Sequence, residues 1–318
     1  AMKFLKLWEK IGIYGLTLFV FLVCWALLGE NFVSAYNLMN VLMQICLVVI
    51  GSVGIVFVIT SGLIDMSIGS IYTLTSIVVG IGLTKLNIGT VGSVILALLV
   101  GVCCGLVNGG LVVYMKIPPF VATLSTMLAF KGVSYLISNG KDIMYISHES
   151  FKMISSGTIL GIPNPVWIMA ILLIAGYLVY KYTRFGVYVR ACGSNASVTK
   201  ISGIPVKRIY FLCYICSSVF AVIGGIISAS RTLIGTSTAG ATYGIDCICA
   251  VVLGGTLMAG GKGNIIGMFF AALLLGFMKN MLNMLNLEFY YQYVITGFIL
   301  VFALVMGNLR ELLQARKV

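Results

Sequence analysis

A chain of 318 residues with 60% hydrophobic and only 9% charged side chains cannot cover its own surface in water, since soluble domains carry roughly 25% charged residues. Its formal net charge of +12 would suggest nucleic acid in a soluble protein, but with a mean hydropathy of +1.12 the positive-inside bias of a membrane protein accounts for it. The 37 glycines suit helices that approach one another through small side chains.

Stretches of about 20 mostly apolar residues cross a bilayer as helices. In chain order they fall near 11–29, 38–61, 91–114, 119–138, 165–181, 209–229, 265–284 and 291–308. Two weaker stretches, 67–84 and 246–258, are apolar but glycine-rich, short or interrupted. Both are counted as crossings, ten in all, and full spans or broken, re-entrant segments are the two forms open to them, since non-helical backbone is tolerated where protein covers it. Ala1, ahead of Met2, reads as an added residue. The basic start "KFLKLWEKIGIYG" runs into an uncleaved first helix, because no small-residue cleavage site follows "FLVCWALLGENF".

Ten crossings with the N-terminus inside put fourteen basic residues on one side, among them Lys10, Lys116, Arg190, Lys207, Arg208 and Lys262. The other side receives four: Lys85, Lys141, Lys152 and Arg231. Lys131 and Lys279 fall near outer helix ends, where long side chains snorkel. That asymmetry predicts a multi-pass protein with both termini cytoplasmic. The longest outer stretch, "NGKDIMYISHESFKMISSGTILGIPN" (139–164), offers a short surface helix capped by Ser147. It also holds the only histidine, His148, a solvated loop residue that alone builds no metal site.

Near the middle the grease gives way to "GSNASVTKISGIPVKR" (193–208), inside a basic loop spanning 182–208. Asn195 or Ser194 is an N-cap for a short helix through 196–202, Gly203 its stop, and Pro205 follows. Val198 and Ile201 would seat in a partner's groove. A plain topogenic loop is the bland alternative.

The stretch "GSNASVTKISGIPVKRIYFLCY" resembles the cytoplasmic coupling segment of bacterial ribose-type ABC sugar-importer permeases. "VITSGLIDMSIGSIYTLTSIVVG" (58–80) resembles an early signature of that family, and "TYGIDCICAVVLGGTLMAGGKGNIIG" (242–267) its C-terminal one. The resemblance covers roughly residues 35–310, in the same order. It implies an all-α membrane protein of about ten transmembrane helices, some short or broken, with the architecture of vitamin B12 importers. The whole chain, 1–318, would be one permease domain. The implied partners are a second permease copy or paralogue, a cytoplasmic ATPase subunit and an extracytoplasmic sugar-binding protein, with no cofactor. Asn195, Val198, Ile201, Ser202 and Gly203 would carry ATPase coupling. One departure is that the family often has Glu-Ala-Ala after the asparagine, whereas this chain has Ala196-Ser197-Val198 and offers no carboxylate there.

Asp65 and Asp246 lie in or beside spans, where an acid is a functional candidate. Both sit at expected helix starts, so helix capping and gating or substrate contact are the two readings. Asn108, Thr123, Ser125, Thr126, Asn280 and Asn283 are neutral polar groups that a sugar pathway or helix–helix hydrogen bonding could use. "GTLMAGGKGN" (255–264) fails the phosphate-loop pattern, since Gly263 follows Lys262; a tight cytoplasmic turn is expected instead. Cys213 and Cys216 have redox or zinc spacing, but no neighbour lowers a thiol pKa or completes a metal shell.

The function these readings favour is the membrane subunit of an ATP-driven importer for a small neutral sugar such as ribose, in a bacterial inner membrane. The alternatives are an ATP-independent facilitator or secondary carrier, or an importer of the same scaffold for autoinducer-2, nucleosides or branched-chain amino acids. An enzyme is disfavoured, with one loop histidine and no acid pair.

Overall fold

The computed structural model describes residues 2–144, 148–288, 290–291, 294–295, 297–298 and 301, with side chains from residue 12 onward. The chain is an all-α membrane protein. Its helices are α1 (Met2–Leu28), α2 (Glu30–Val33), α3 (Ala35–Thr60), α4 (Ile68–Thr84), α5 (Gly89–Val113), α6 (Pro119–Ser138), α7 (Glu149–Ser156), α8 (Asn164–Tyr182), α9 (Arg184–Ser194), α10 (Ala196–Ile201), α11 (Val206–Thr232), α12 (Tyr243–Leu253) and α13 (Ile265–Met284). Two-residue strands form two small antiparallel pairs: β1 (Ile143–Met144) joins β4 (Ile234–Gly235), and β2 (Thr158–Ile159) joins β3 (Ile162–Pro163).

Among the described residues, α3, α5, α6, α8, α11 and α13 are long and apolar enough to cross a membrane. The apolar part of α1 (Gly12–Leu28), α4 and α12 are shorter. The eleven residues of α12 rise only about 16 Å, roughly half a hydrocarbon core. The expected stretch 246–258 therefore needs correction: the helix begins at Tyr243 and stops at Leu253, where Gly254 and Gly255 turn the chain. Most of the expected last helix, 291–308, lies outside the described residues. So do Ser147 and its predicted cap; α7 begins after His148, which makes no side-chain capping bond.

The centre of the bundle is α3 against α11. Every residue from Val49 to Thr60 is buried. Close approach here depends on small residues: a Cβ on Gly54 would lie 2.9 Å from Cα of Ser217, and one on Gly105 of α5 would lie 2.8 Å from Cα of Ile215. With no hydrophobic drive between helices in lipid, this intimate packing and interhelical hydrogen bonds hold the bundle together.

Asn37 of α3 and Asn280 of α13, both buried, form a reciprocal amide pair, at 3.0 Å from Asn37 Nδ2 to Asn280 Oδ1 and 2.8 Å in return. Asn280 thus holds helices together, one of the two roles open to it from sequence. Thr123 and Ser125 donate to carbonyls of their own helix, Pro119 and Val121. Replacing Asn37 or Asn280 by alanine is expected to lower stability in detergent by about 1–2 kcal/mol. The double variant should fall short of additivity by about 1 kcal/mol. Unfolding titrations of the four proteins check this, and strict additivity would deny that the amides bond.

Candidate functional site

The loop 182–208 is more structured than its composition suggests. It holds α9 as well as α10, so the expectation of a single short helix misses the first. Thr183 caps α9, accepting from the amide of Gly186. The helix buries Gly186, Val189 and Cys192 on one face; burial raises the Cys192 thiol pKa, so it is no reactive thiol. Phe185 stacks on Phe57 of α3 with ring centres 5.6 Å apart. Arg190 lies 4.9 Å over the ring of Tyr180 and donates to that residue's carbonyl.

Asn195, not Ser194, caps α10: its Oδ1 accepts from the amide of Val198 at 3.0 Å. A six-residue helix is too short to persist alone. Tertiary bonds hold it, with the buried Thr199 hydroxyl in reach of the Ala191 and Asn195 carbonyls at 2.8 and 2.7 Å. Ser202 occupies the C-cap. The amide of Gly203 bonds to Lys200 and that of Ile204 to Thr199, a Schellman closure that needs the φ of +81° at Gly203. The same bond pattern closes α3 at Gly62 and α12 at Gly255. Val198 and Ile201 are left 58% and 87% exposed.

Three segments distant in sequence meet behind this unit. The amide of Gly261 donates to the carbonyl of Thr60 at 2.8 Å. Gly193 sits so close that a Cβ would overlap the Thr60 carbonyl oxygen and the Gly261 nitrogen. A Cβ on Gly260 would lie 2.9 Å from both the Gly193 carbonyl oxygen and Cα of Gly62. The Tyr180 hydroxyl accepts from the amide of Gly263 at 2.7 Å. Asn264 braces the glycine turn, donating to the Gly254 carbonyl at 3.0 Å and capping α13 through the amide of Gly267 at 2.9 Å. The stretches "VITSGLID", "ACGSN" and "LGGTLMAGGKGN" thus form one knot. The turn reading of 255–264 describes this geometry. Tyr180 was missed by sequence reasoning, because a tyrosine beside Lys181 at a helix end reads as an ordinary interface anchor.

Asp65 lies beside the knot, in the linker between α3 and α4. It is 1% exposed. Its Oδ1 accepts from the amide and hydroxyl of Ser67, at 2.9 and 2.6 Å, and its Oδ2 from Ser217 of α11 at 2.8 Å. The Ser67 hydroxyl in turn accepts from Asn108 of α5 at 2.7 Å, and Asn108 from Thr126 of α6 at 2.6 Å. Asn108 and Thr126 therefore belong to a buried chain of polar contacts.

Asp246 sits elsewhere, in the first turn of α12. No capping bond from its side chain is found; Oδ2 instead pairs with Lys279 of α13 at 2.8 Å. Lys279 does not snorkel to a helix end as its position suggested, because a carboxylate lies within reach inside the bundle. The pair borders an open pocket of about 200 Å3, which Gln44, Thr242, Val48 and Leu275 also line. Beside it Tyr72 of α4 stacks on Tyr243 at 4.0 Å. Cys213 is buried and Cys216 half-buried, both free. No group of three metal-ligating side chains exists among the described residues.

Residues 37–304 match the family described as branched-chain amino acid transport system / permease component. The chain belongs to that family. It is 36% identical over 313 residues to the ribose import permease protein RbsC of Escherichia coli (strain K12), covering 97% of each chain. It is 33% identical over 301 residues to the protein of that name in Bacillus subtilis (strain 168), covering 94% of this chain and 93% of the relative. With the L-arabinose transport system permease protein AraH of Escherichia coli (strain K12) it shares 32% identity over 322 residues, covering 98% and 94%. No solved structure matches the chain. The protein is thus a permease component, a transport subunit rather than an enzyme.

Replacing Gly193 by valine should drive α9 off the knot, at a cost of about 1–3 kcal/mol for overpacking. Limited proteolysis between 184 and 203 should speed up while the chain still inserts. Gly203 faces open space, so Gly203→Ala should cost only about 1 kcal/mol of backbone strain and leave cleavage near wild-type rates. Equal cleavage of both variants would show that the knot does not hold the segment.

Proposed function

We propose that the chain is the membrane subunit of an ATP-driven importer for a small neutral monosaccharide such as ribose. It works with a second permease copy or paralogue, a cytoplasmic ATPase subunit and an extracytoplasmic sugar-binding protein, in a bacterial inner membrane. The whole chain, 1–318, acts as one permease domain of about ten crossings in the vitamin B12 importer arrangement, with both termini and the coupling segment 182–208 on the cytoplasmic side. The names of the ribose and arabinose relatives support the sugar, and the asymmetry of basic residues supports the orientation.

The observation that carries the coupling role is α10. It is capped at both ends and tied to α9, yet it presents Val198 and Ile201 outward. Apolar side chains held rigidly on a polar, basic segment outside the bilayer fit a groove on another protein. Asn195, Ser202 and Gly203 set the ends of that helix and so fix the pose of the two anchors. The lack of a carboxylate at Ala196 leaves shape and apolar contact as the means of docking. The chain itself has no intact phosphate loop, so hydrolysis belongs to the partner.

The reading is tested by reconstituting the permease with its ATPase and binding protein in vesicles. Val198→Asp or Ile201→Asp places a charge in the groove and should abolish copurification of the ATPase, with uptake falling at least tenfold. Wild-type copurification and uptake in both variants would reduce the segment to a topogenic loop. Orientation is tested with single cysteines at Ser150 and Lys200, in a background lacking the exposed Cys103. An impermeant thiol reagent applied outside should label the first alone; labelling of both from one side would refute the topology.

A further inference from the structure

The pocket between α3, α12 and α13 combines an apolar floor and two tyrosines, Tyr72 and Tyr243, with four further polar side chains. Val48 and Leu275 contribute to the floor, and Gln44, Thr242, Asp246 and Lys279 supply the polar groups. Lys279 uses one donor on Asp246 Oδ2 at 2.8 Å. Among the described residues no hydrogen-bond partner is found for Asp246 Oδ1, the Gln44 amide or the Thr242 hydroxyl. An ammonium bonded to a carboxylate leaves spare donors beside a spare acceptor. The charges cancel, so the pair gives no net attraction to an ion.

Adjacent hydroxyls, each able to donate and to accept, match that arrangement. One donates to the carboxylate while its neighbour accepts from the ammonium. The C–H face of a sugar ring fits against the apolar floor. A zwitterionic amino acid would instead compete with both members of the pair and have to part them. A lone pair of charges held half out of water is costly to separate.

We propose that this pocket is a transit site for a neutral monosaccharide, in which Asp246 and Lys279 bind a vicinal diol and Gln44 and Thr242 bind flanking hydroxyls. This rests on the sugar-importer reading and adds where, and by which groups, the permease itself touches the sugar. The site lies at depth: Val48 is twelve residues before the end of α3, about 18 Å along the helix from Thr60. A sugar here would lie well inside the bundle from the Thr60 end of α3, on a course that a transported solute must take.

The test uses the complete importer in vesicles, with D-ribose, 2-deoxy-D-ribose and L-leucine as solutes. The double variant Asp246→Asn, Lys279→Met removes both charges together and strands neither. It should lower D-ribose uptake per ATP hydrolysed by about tenfold, the loss of one charge-assisted hydrogen bond. It should also narrow the preference for D-ribose over 2-deoxy-D-ribose, which lacks one of the adjacent hydroxyls. The binding protein is the same in both preparations, so a changed preference reports on the permease. If the double variant fails to fold, Gln44→Ala and Thr242→Val carry the same two measurements, with about threefold losses expected. Unchanged uptake per ATP and unchanged preference would overturn the pocket assignment while leaving the importer reading intact. A wild-type importer that moves L-leucine and neither sugar would overturn both.

Discussion

The α9–α10 unit depends on a contact that only bare backbone can make. Gly193 meets the Thr60 carbonyl and the Gly261 amide at a distance that admits no Cβ. Backbone in van der Waals contact with backbone has no side-chain rotamers through which to yield, so displacement of one segment is passed on to the others. The bond from Gly261 to Thr60 adds direction to that contact. Tyr180 then clamps the knot from the side, with its ring under Arg190 and its hydroxyl on Gly263. A soft aliphatic interface between the same segments would have rotamers with which to absorb small movements; the glycine contact has none.

The linker that follows α3 needs a different kind of support. Residues 64–66 lie between the closure of α3 at Gly62 and Leu63 and the first turn of α4 at Ser67, so their backbone, inside the bundle, has no helical turn to bond. Asp65 supplies two acceptor oxygens and three donors converge on them. The chain continues through Ser67, Asn108 and Thr126, so α11, α5 and α6 all hold the linker that starts α4. Such a chain is favourable only when every member is satisfied. Asp65 stands two residues ahead of Ser67, the N-cap of α4, whose own side chain makes no capping bond; its reach to Ser217 depends on how α11 crosses α3.

What was legible in the sequence was whatever depends on local chemistry. The spans 119–138 and 265–284 coincide with α6 and α13 because length and hydropathy define them. The end of α10 was readable because a left-handed stop after a short helix calls for glycine, and Gly203 is there. Tertiary facts were not readable. Glycine at 193 carries no sign that Thr60 lies against it, and a loop of mixed polarity hid α9, whose buried face is only Gly186, Val189 and Cys192. Lys279 and Asp246 are 33 residues apart in sequence, and no helical periodicity spans the glycine turn between them. The order of the three family-like stretches was visible, but their convergence is a property of the folded bundle alone.

That convergence gives α12 its place in the molecule. Its first turn carries Asp246 at the pocket, and its last residue, Leu253, enters the glycine turn that touches Gly193 and Ser194. Leu253 is seven residues on from Asp246, about 10 Å along a stiff rod. A helix long enough to cross the bilayer would be fixed at both faces by its own ends. One of half that length, flanked by turns, can tilt as a body while its internal hydrogen bonds stay intact. α10 is tied through α9 to the turn at 260–261, and that turn is joined by α12 to the pair with Lys279. The shortness of α12, which on hydropathy alone looks like a defective span, sets the glycine turn and the pair with Lys279 only about 10 Å apart along one helix.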